Sequence, residues 1–211
     1  MAAPILRRLR AATLALGMPL ILLAACTGFD PEAVERTLSA TREGQYRLDP
    51  HHATLLFKVR HMGLAPYVGR FNDFDVVLDF DPQNPAATRL HATIDTASVD
   101  VNYPSFNATL AGPGWLDSAR HPTATFVSTT VSWRDESHAR VDGILTLKGI
   151  AAPASLEVIF HGATRHVITG TYTLGFSANA TLNRSDWGID KHIPVVDDEV
   201  ALEIHAELQR R

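Results

Sequence analysis

Cysteine is almost missing from this chain: its 211 residues contain one, Cys26. A single thiol forms no intrachain disulfide, so the fold must rest on its apolar core even in an oxidising compartment. Long apolar runs are scarce as well. The one that stands out, Ala11 to Leu23, follows Arg7, Arg8 and Arg10 and is too short to span a bilayer. Nothing after residue 26 reads as a transmembrane helix. Positive charge is also in short supply. The first 25 residues hold three of the 19 basic and none of the 23 acidic residues, which leaves 16 basic against 23 acidic and a formal charge of −7 in the remainder. A protein that neutralises nucleic-acid phosphates needs a basic stripe, and here Lys and Arg are scattered among Asp and Glu, which argues against nucleic acid as a partner. There is no Gly-x-Ser-x-Gly elbow and, among ten histidines, no His-x-x-x-His pattern. The pair His51-His52 has no evident carboxylate at ligand spacing. No catalytic residue, metal site or cofactor is therefore expected.

What is present begins with Leu23-Ala24-Ala25-Cys26, which closes the apolar run. A basic start, a short apolar core and small residues before a cysteine describe a lipoprotein signal over residues 1–25, with Cys26 the lipidated first residue of the mature chain. Several acyl chains on that cysteine would hold a soluble domain at a bilayer. Residues 26–44, with Asp30-Pro31 and a helix-compatible stretch from Glu32 to Leu38, read as a tether. Residues 45–211 form one domain of a size that supports a single core. Thr27 replaces the aspartate associated with inner-membrane retention. The expected location is the periplasmic side of the cell envelope, with the outer membrane preferred.

From Tyr46 onward the dominant signal is alternation with a period of two. Val200, Leu202, Ile204, Ala206 and Leu208 share one face, and Glu203, His205, Glu207 and Gln209 the other. Leu55, Phe57, Val59 and His61 alternate with Leu56, Lys58 and Arg60, and Phe74, Val76, Leu78 and Phe80 with Asp73, Asp75 and Asp79. Leu90, Ala92 and Ile94, the Thr- and Val-rich run from Thr123 to Trp133, Val141 to Leu147, Leu156 to Phe160, and Tyr172 to Leu182 continue the rule. Turn chemistry at Asp81-Pro82 with Asn84-Pro85, Arg134 to Ser137, Lys148-Gly149 and Asn183 to Asp186 separates these runs. The reading is an all-β domain of about eight antiparallel strands, with one short helix between Asn102 and Asp117. Such a chain builds a sandwich or a closed barrel, and pattern alone leaves open whether a barrel interior is solid or hollow.

Several blocks in order carry a resemblance. Tyr46-Arg47-Leu48-Asp49 leads to His52 and then to Phe57-Lys58-Val59-Arg60-His61-Met62-Gly63. Gly69-Arg70-Phe71-Asn72-Asp73-Phe74, Phe80-Asp81-Pro82 and His121-Pro122 to Phe126 follow. Gly143 to Ile150 with Pro153, and Asn183-Arg184-Ser185-Asp186-Trp187-Gly188-Ile189, complete the set. Together they resemble the YceI-like family of bacterial envelope proteins from about Tyr46 to Leu208. The resemblance implies an eight-stranded lipocalin-like barrel that encloses an elongated apolar cavity and binds a polyisoprenoid or similar lipid, with no established catalysis. Two segments depart from the family pattern: Phe106 to Leu110 with Gly112-Pro113-Gly114-Trp115-Leu116-Asp117, and the turn Ile150-Ala151-Ala152-Pro153.

On this reading the ligand-binding residues are Phe57, Val59, His61, Phe74, Val76, Leu78, Ile94, Phe126, Leu145, Leu147 and Phe176, all pointing inward. His61 is the polar member, either a hydrogen-bonded core residue or an anchor for a ligand head. Arg184 and Asp186 could touch a headgroup or fix their own loop, and Arg60, Arg70, Arg184 and Lys191 are cations of the right type for a phosphate. The partners expected are an isoprenoid or other long apolar lipid and, through Cys26, a membrane. A homodimer is compatible with the chain. Two other classes stay in play: an envelope enzyme acting on a small apolar substrate, with titratable groups converging around His61, and a structural or adaptor lipoprotein with a packed core.

Overall fold

A computed structural model describes residues 30–211, so Cys26, the signal segment and the first part of the expected tether lie outside the described residues. The strands are β1 (Gly44–His61), β2 (Ala65–Phe71), β3 (Phe74–Phe80), β4 (Arg89–Asp95), β5 (Val99–Asp100), β6 (Thr123–Trp133), β7 (His138–Leu147), β8 (Ile150–Arg165), β9 (Tyr172–Asn183) and β10 (Val196–Arg210). One helix, α1 (Pro104–Ala111), occupies the expected interval. Pro104 opens it at a position where its missing N–H costs nothing.

Ten strand segments make eight staves. β1 is 18 residues long and meets two partners on one edge: its first residues, Gly44–Arg47, pair with β3 and its last, Leu55–His61, with β2. β2 and β3 thus form one stave broken at Asn72-Asp73. β5 and β4 form the next, pairing with β2 and β3 respectively. β6 to β10 follow as an antiparallel meander, and β10 returns to the other edge of β1 from Tyr46↔Arg210 to His61↔Val196. The result is a closed eight-stranded antiparallel barrel. Closure removes the exposed strand edge that a sheet of this length would otherwise present.

Of four register shifts among the strands, the one where Arg60 faces Asp197–Glu199 adds two residues and leaves the faces unchanged, and the other three set which residues face inward. In β1, Leu48 pairs with Leu208 and Ala53 with Ala206, so the four residues Asp49–His52 face Glu207 alone. In β6, Thr129 is the extra residue between Ser128 and Thr130, and in β8 it is His161 between Phe160 and Gly162. Each of these three inserts an odd number of residues and so exchanges the two faces. Tyr46 and Leu48 are buried before the first bulge and Leu55 after it. Phe126 and Val131 are buried on either side of the second, Phe160 and Ala163 of the third.

The end of the barrel near Tyr46 is plugged. Tyr46, Leu48, Leu78, Phe80, Phe160, Tyr172, Leu174 and Leu208 pack there around Leu38 from the preceding segment. Part of the stretch expected to be a tether is therefore docked: Glu35 exchanges two backbone hydrogen bonds with Ala163, both 2.8 Å, and Leu38 is 4% exposed. Gly162 permits this approach. Its φ is +139°, and a Cβ there would lie 2.6 Å from Val34 and 3.1 Å from the Glu35 carbonyl oxygen. The Tyr46 hydroxyl donates to the Arg42 carbonyl at 2.5 Å, and the Tyr172 hydroxyl donates to the Glu35 carboxylate.

Burial pushes the Tyr46 phenol up from 10.0 to about 12, and burial with the Glu35 hydrogen bond raises Tyr172 as well. Above pH 10 the unfolded chain releases protons that the folded chain retains, so stability falls as pH rises from there through the folded-state values. Of the four tyrosines, Tyr46 and Tyr172 should ionise only on unfolding, as read by tyrosine absorbance during an alkaline titration. Urea denaturation of Tyr46→Phe should show a loss of about 1 kcal/mol at neutral pH and a shallower decline above pH 10 than the wild type.

Candidate functional site

The inner rows of the staves do not fill the barrel evenly. The plugged half encloses a cavity of about 170 Å³, lined among others by Phe74, Val76, Leu78, Leu90, Phe126, Trp133 and Phe176. The opposite half opens into a chamber of about 650 Å³, within the range of small-molecule sites. Leu55, Ile94, Leu145, Leu182 and Leu202 line both spaces. These five, from β1, β4, β7, β9 and β10, form a girdle of aliphatic side chains where the narrow cavity meets the wide chamber.

All eleven residues expected to face inward line one space or the other. Phe57, Val59, His61 and Leu147 line the wide chamber, Phe74, Val76, Leu78, Phe126 and Phe176 the narrow cavity, and Ile94 and Leu145 both. His61 sits exposed at the mouth rather than in the core. Of the four candidate cations, Arg184 and Lys191 line the wide chamber, while Arg60 and Arg70 are exposed and do not. Asp186 is exposed and lines neither space.

The wide chamber has a second wall that strand periodicity did not reveal. Tyr103 at the cap of α1, with Phe106, Thr109 and Leu110 on the helix, covers one side, followed by Trp115 and Leu116. The spacing of Tyr103, Phe106 and Leu110 places them on one helical face, a signal that a helical template would have found. Ile189, Lys191, His192, Val195 and Val196 complete the mouth from the loop before β10; no period marks them. Phe106 stacks edge-on between Tyr67 and Trp115, at 6.2 and 6.5 Å. Met62, Leu64, Tyr103 and Val195 stand exposed around the entrance.

Arg184 is the keystone of this rim. It is buried, yet among the described residues its guanidinium meets no carboxylate in an ion pair. Nε donates to the Asp197 carbonyl at 2.8 Å, Nη1 to Ile189 at 2.5 Å and Nη2 to Val196 at 2.8 Å, with the Trp115 ring 5.6 Å away. Burial pulls its pKa down, opposed by the charges of Asp198 and Asp190. Arg184 thus spends its donors on tying the end of β9 to the start of β10, and the loop-fixing role is the one observed. Asp198 receives Ser185 through both the amide and the hydroxyl, which holds its carboxyl below the ordinary range against some burial. Trp187, 1% exposed, donates from Nε1 to the Leu145 carbonyl at 3.0 Å and seats the loop on β7. Gly188 ends the turn at φ +64°.

Among the described residues neither space is lined by an aspartate or glutamate, and the titratable groups present, His61, Tyr67, Tyr103, Lys191, His192 and Arg184, belong to the wide chamber alone and none lines the narrow cavity. The arrangement offers apolar burial with a polar rim.

Comparison with known proteins agrees with this architecture. The profile of the YceI-like domain matches residues 46–208. A UPF0312 protein of Pseudomonas paraeruginosa is 35% identical over 173 residues, which cover 81% of this chain and 90% of that protein. A UPF0312 protein of Yersinia pestis is 34% identical over 182 residues, 85% and 94% of the two chains. Among solved structures, BcnA of Burkholderia cenocepacia superposes with a TM-score of 0.69 at 27% identity, covering 76% of this chain and 98% of its own. A polyisoprenoid binding domain from Saccharophagus degradans, implicated in plant cell wall breakdown, shares the fold with a TM-score of 0.61 at 12% identity, covering 81% and 100%.

Truncating the residue that seats the rim should be severe: Trp187→Ala is expected to cost about 3–5 kcal/mol, whereas Trp187→Phe, which keeps most of the packing and loses the bond to Leu145, should cost about 1–3 kcal/mol. Chemical denaturation of the two variants measures both.

Proposed function

The chain belongs to the YceI-like domain family, and from that premise we propose that its barrel is a binding protein for an elongated apolar lipid of isoprenoid type. The polyprenyl chain or isoprenoid quinone tail lies in the wide chamber and reaches through the aliphatic girdle toward the narrow cavity. The protein holds this lipid for transport, storage or sequestration on the periplasmic side of the envelope, attached to a membrane, preferably the outer one, through lipidated Cys26.

The observation that carries the reading is the pair of adjoining apolar spaces that share the girdle of Leu55, Ile94, Leu145, Leu182 and Leu202. A solid-core barrel of a structural or adaptor protein has no use for such unfilled volume, which forgoes packing contacts. Each methylene-sized group moved from water into this interior contributes roughly 0.8 kcal/mol. Several isoprene units then outweigh the cost of immobilising the chain. Support also comes from the shared fold of the Saccharophagus domain, which is described as polyisoprenoid-binding. The absence of lining carboxylates favours holding a ligand over acid–base chemistry on it.

Native mass spectrometry of the protein isolated from its own envelope in a mild detergent, followed by organic extraction, is the test. The expected result is a stoichiometric isoprenoid mass. A chain that carries no lipid, and takes up none on incubation with isoprenoids, would contradict the proposal. Val59→Trp, which fills part of the wide chamber, should leave the melting temperature nearly unchanged. By displacing two or three methylene-sized groups it should lower lipid affinity by tenfold or more, at roughly 0.8 kcal/mol per group and 1.4 kcal/mol per decade.

A further inference from the structure

The bulge in β1 assembles a group of side chains that the lipid reading does not use. Local spacing leaves His51-His52 without a carboxylate ligand, but the fold supplies two. The four residues Asp49–His52 face Glu207 across the β1–β10 seam, and ligand atoms of Asp49, His52 and Glu207 all lie within 4.8 Å of one another. None of the three lines either internal space. We propose that Asp49, His52 and Glu207 form a binding site for one divalent cation of the zinc type, on the outer wall of the barrel and separate from the lipid chamber.

The charge balance of the cluster favours a cation. The Asp49 side chain is only 8% exposed, yet its single ion-pair partner among the described residues is His52. Glu207 has no ion pair and accepts no side-chain or backbone hydrogen bond among those residues, which leaves its carboxylate unspent beside a buried one. With a neutral imidazole the three groups carry two negative charges, which a divalent ion cancels. Asp49 is already oriented toward this point, because the His51 amide donates to Oδ1 at 3.0 Å and the Gln209 amide to Oδ2 at 2.7 Å.

The donor set selects the class of metal. Calcium and magnesium take six or more oxygens or several waters, whereas one imidazole nitrogen with two carboxylate oxygens and an open fourth position suits zinc. His52 Nδ1 and Asp49 Oδ2 stand 2.9 Å apart. Two ligands of a tetrahedral ion with bonds near 2.0–2.1 Å are separated by roughly 3.3 Å, so a small opening admits the ion. Ligation uses the Nδ1 lone pair of the neutral imidazole, with the ring proton on Nε2 and no net change in the protons bound. His166, whose ring lies 6.0 Å from that of His52, borders the site, and its Nδ1 accepts the Ile168 and Thr169 amides.

Isothermal titration of the metal-free full chain with zinc chloride tests the site. One zinc per chain is expected. Glu207→Gln and His52→Ala should each weaken binding by roughly tenfold or more. His138→Ala, at the exposed His138–Asp135 pair, should leave the affinity unchanged, and the melting temperature of Glu207→Gln in chelator should match the wild type. No saturable binding, an affinity indifferent to Glu207→Gln, or an equal loss in His138→Ala would overturn the proposal. Because none of these three residues lines either internal space, the outcome is independent of whether an isoprenoid co-purifies.

Discussion

Closure of the sheet by β10 on β1 is the constraint from which the rest of the structure follows. Once eight staves are hydrogen-bonded into a ring, the interior volume is set by backbone geometry and no longer by what the side chains can fill. Large residues fill the half near Tyr46, where Phe80, Phe160, Tyr172 and Trp133 meet and the segment around Leu38 adds a plug. Toward the other end the inner rows carry Val59, Ala124, Leu147 and Val200 beside Phe57 and Phe71, and space remains. The cavity is thus the volume that the inner rows leave unfilled inside a frame that cannot collapse.

The same closure explains how the mouth is built. A barrel end leaves backbone groups of the strand termini without ladder partners, and these must be satisfied. Arg184 does this at one point for three carbonyls, with a charge that lies against the Trp115 ring. Trp187 fastens the loop from below. α1 covers the side that the loop leaves open, and its aromatic residues extend the apolar lining past the last strand residues. The interior therefore stays apolar while cationic and polar groups gather at its edge, which suits an amphiphile that enters tail first.

Much of this was legible in the chain because period two survives wherever one face is buried. The inner rows of β3, β4, β7, β9 and β10 can be read straight from Phe74 to Phe80, Leu90 to Ile94, Val141 to Leu147, Leu174 to Leu182 and Val200 to Leu208. The limits of that reading have physical causes. Bulges at Asp49–His52, Thr129 and His161 flip the inward face in mid-strand, and a bulge has no periodic signature of its own. The stave broken between β2 and β3 depends on pairing with the far halves of β1, which local pattern does not encode. The docking of Glu35 and Leu38 depends on the positive φ of Gly162, beside the β8 bulge and more than a hundred residues away in sequence, and the Asp49–His52–Glu207 cluster on the seam itself. Long-range register, not propensity, decided each of these.

A lipid-binding role requires the two internal spaces to act as one continuous site. A crystal structure of the protein purified without stripping its bound material addresses this directly. It should show elongated density that begins at the mouth beside His61 and Lys191, passes between Leu55, Leu182 and Leu202, and ends among Val76, Phe126 and Phe176. Density confined to scattered waters in the wide chamber, with the girdle shut, would contradict it.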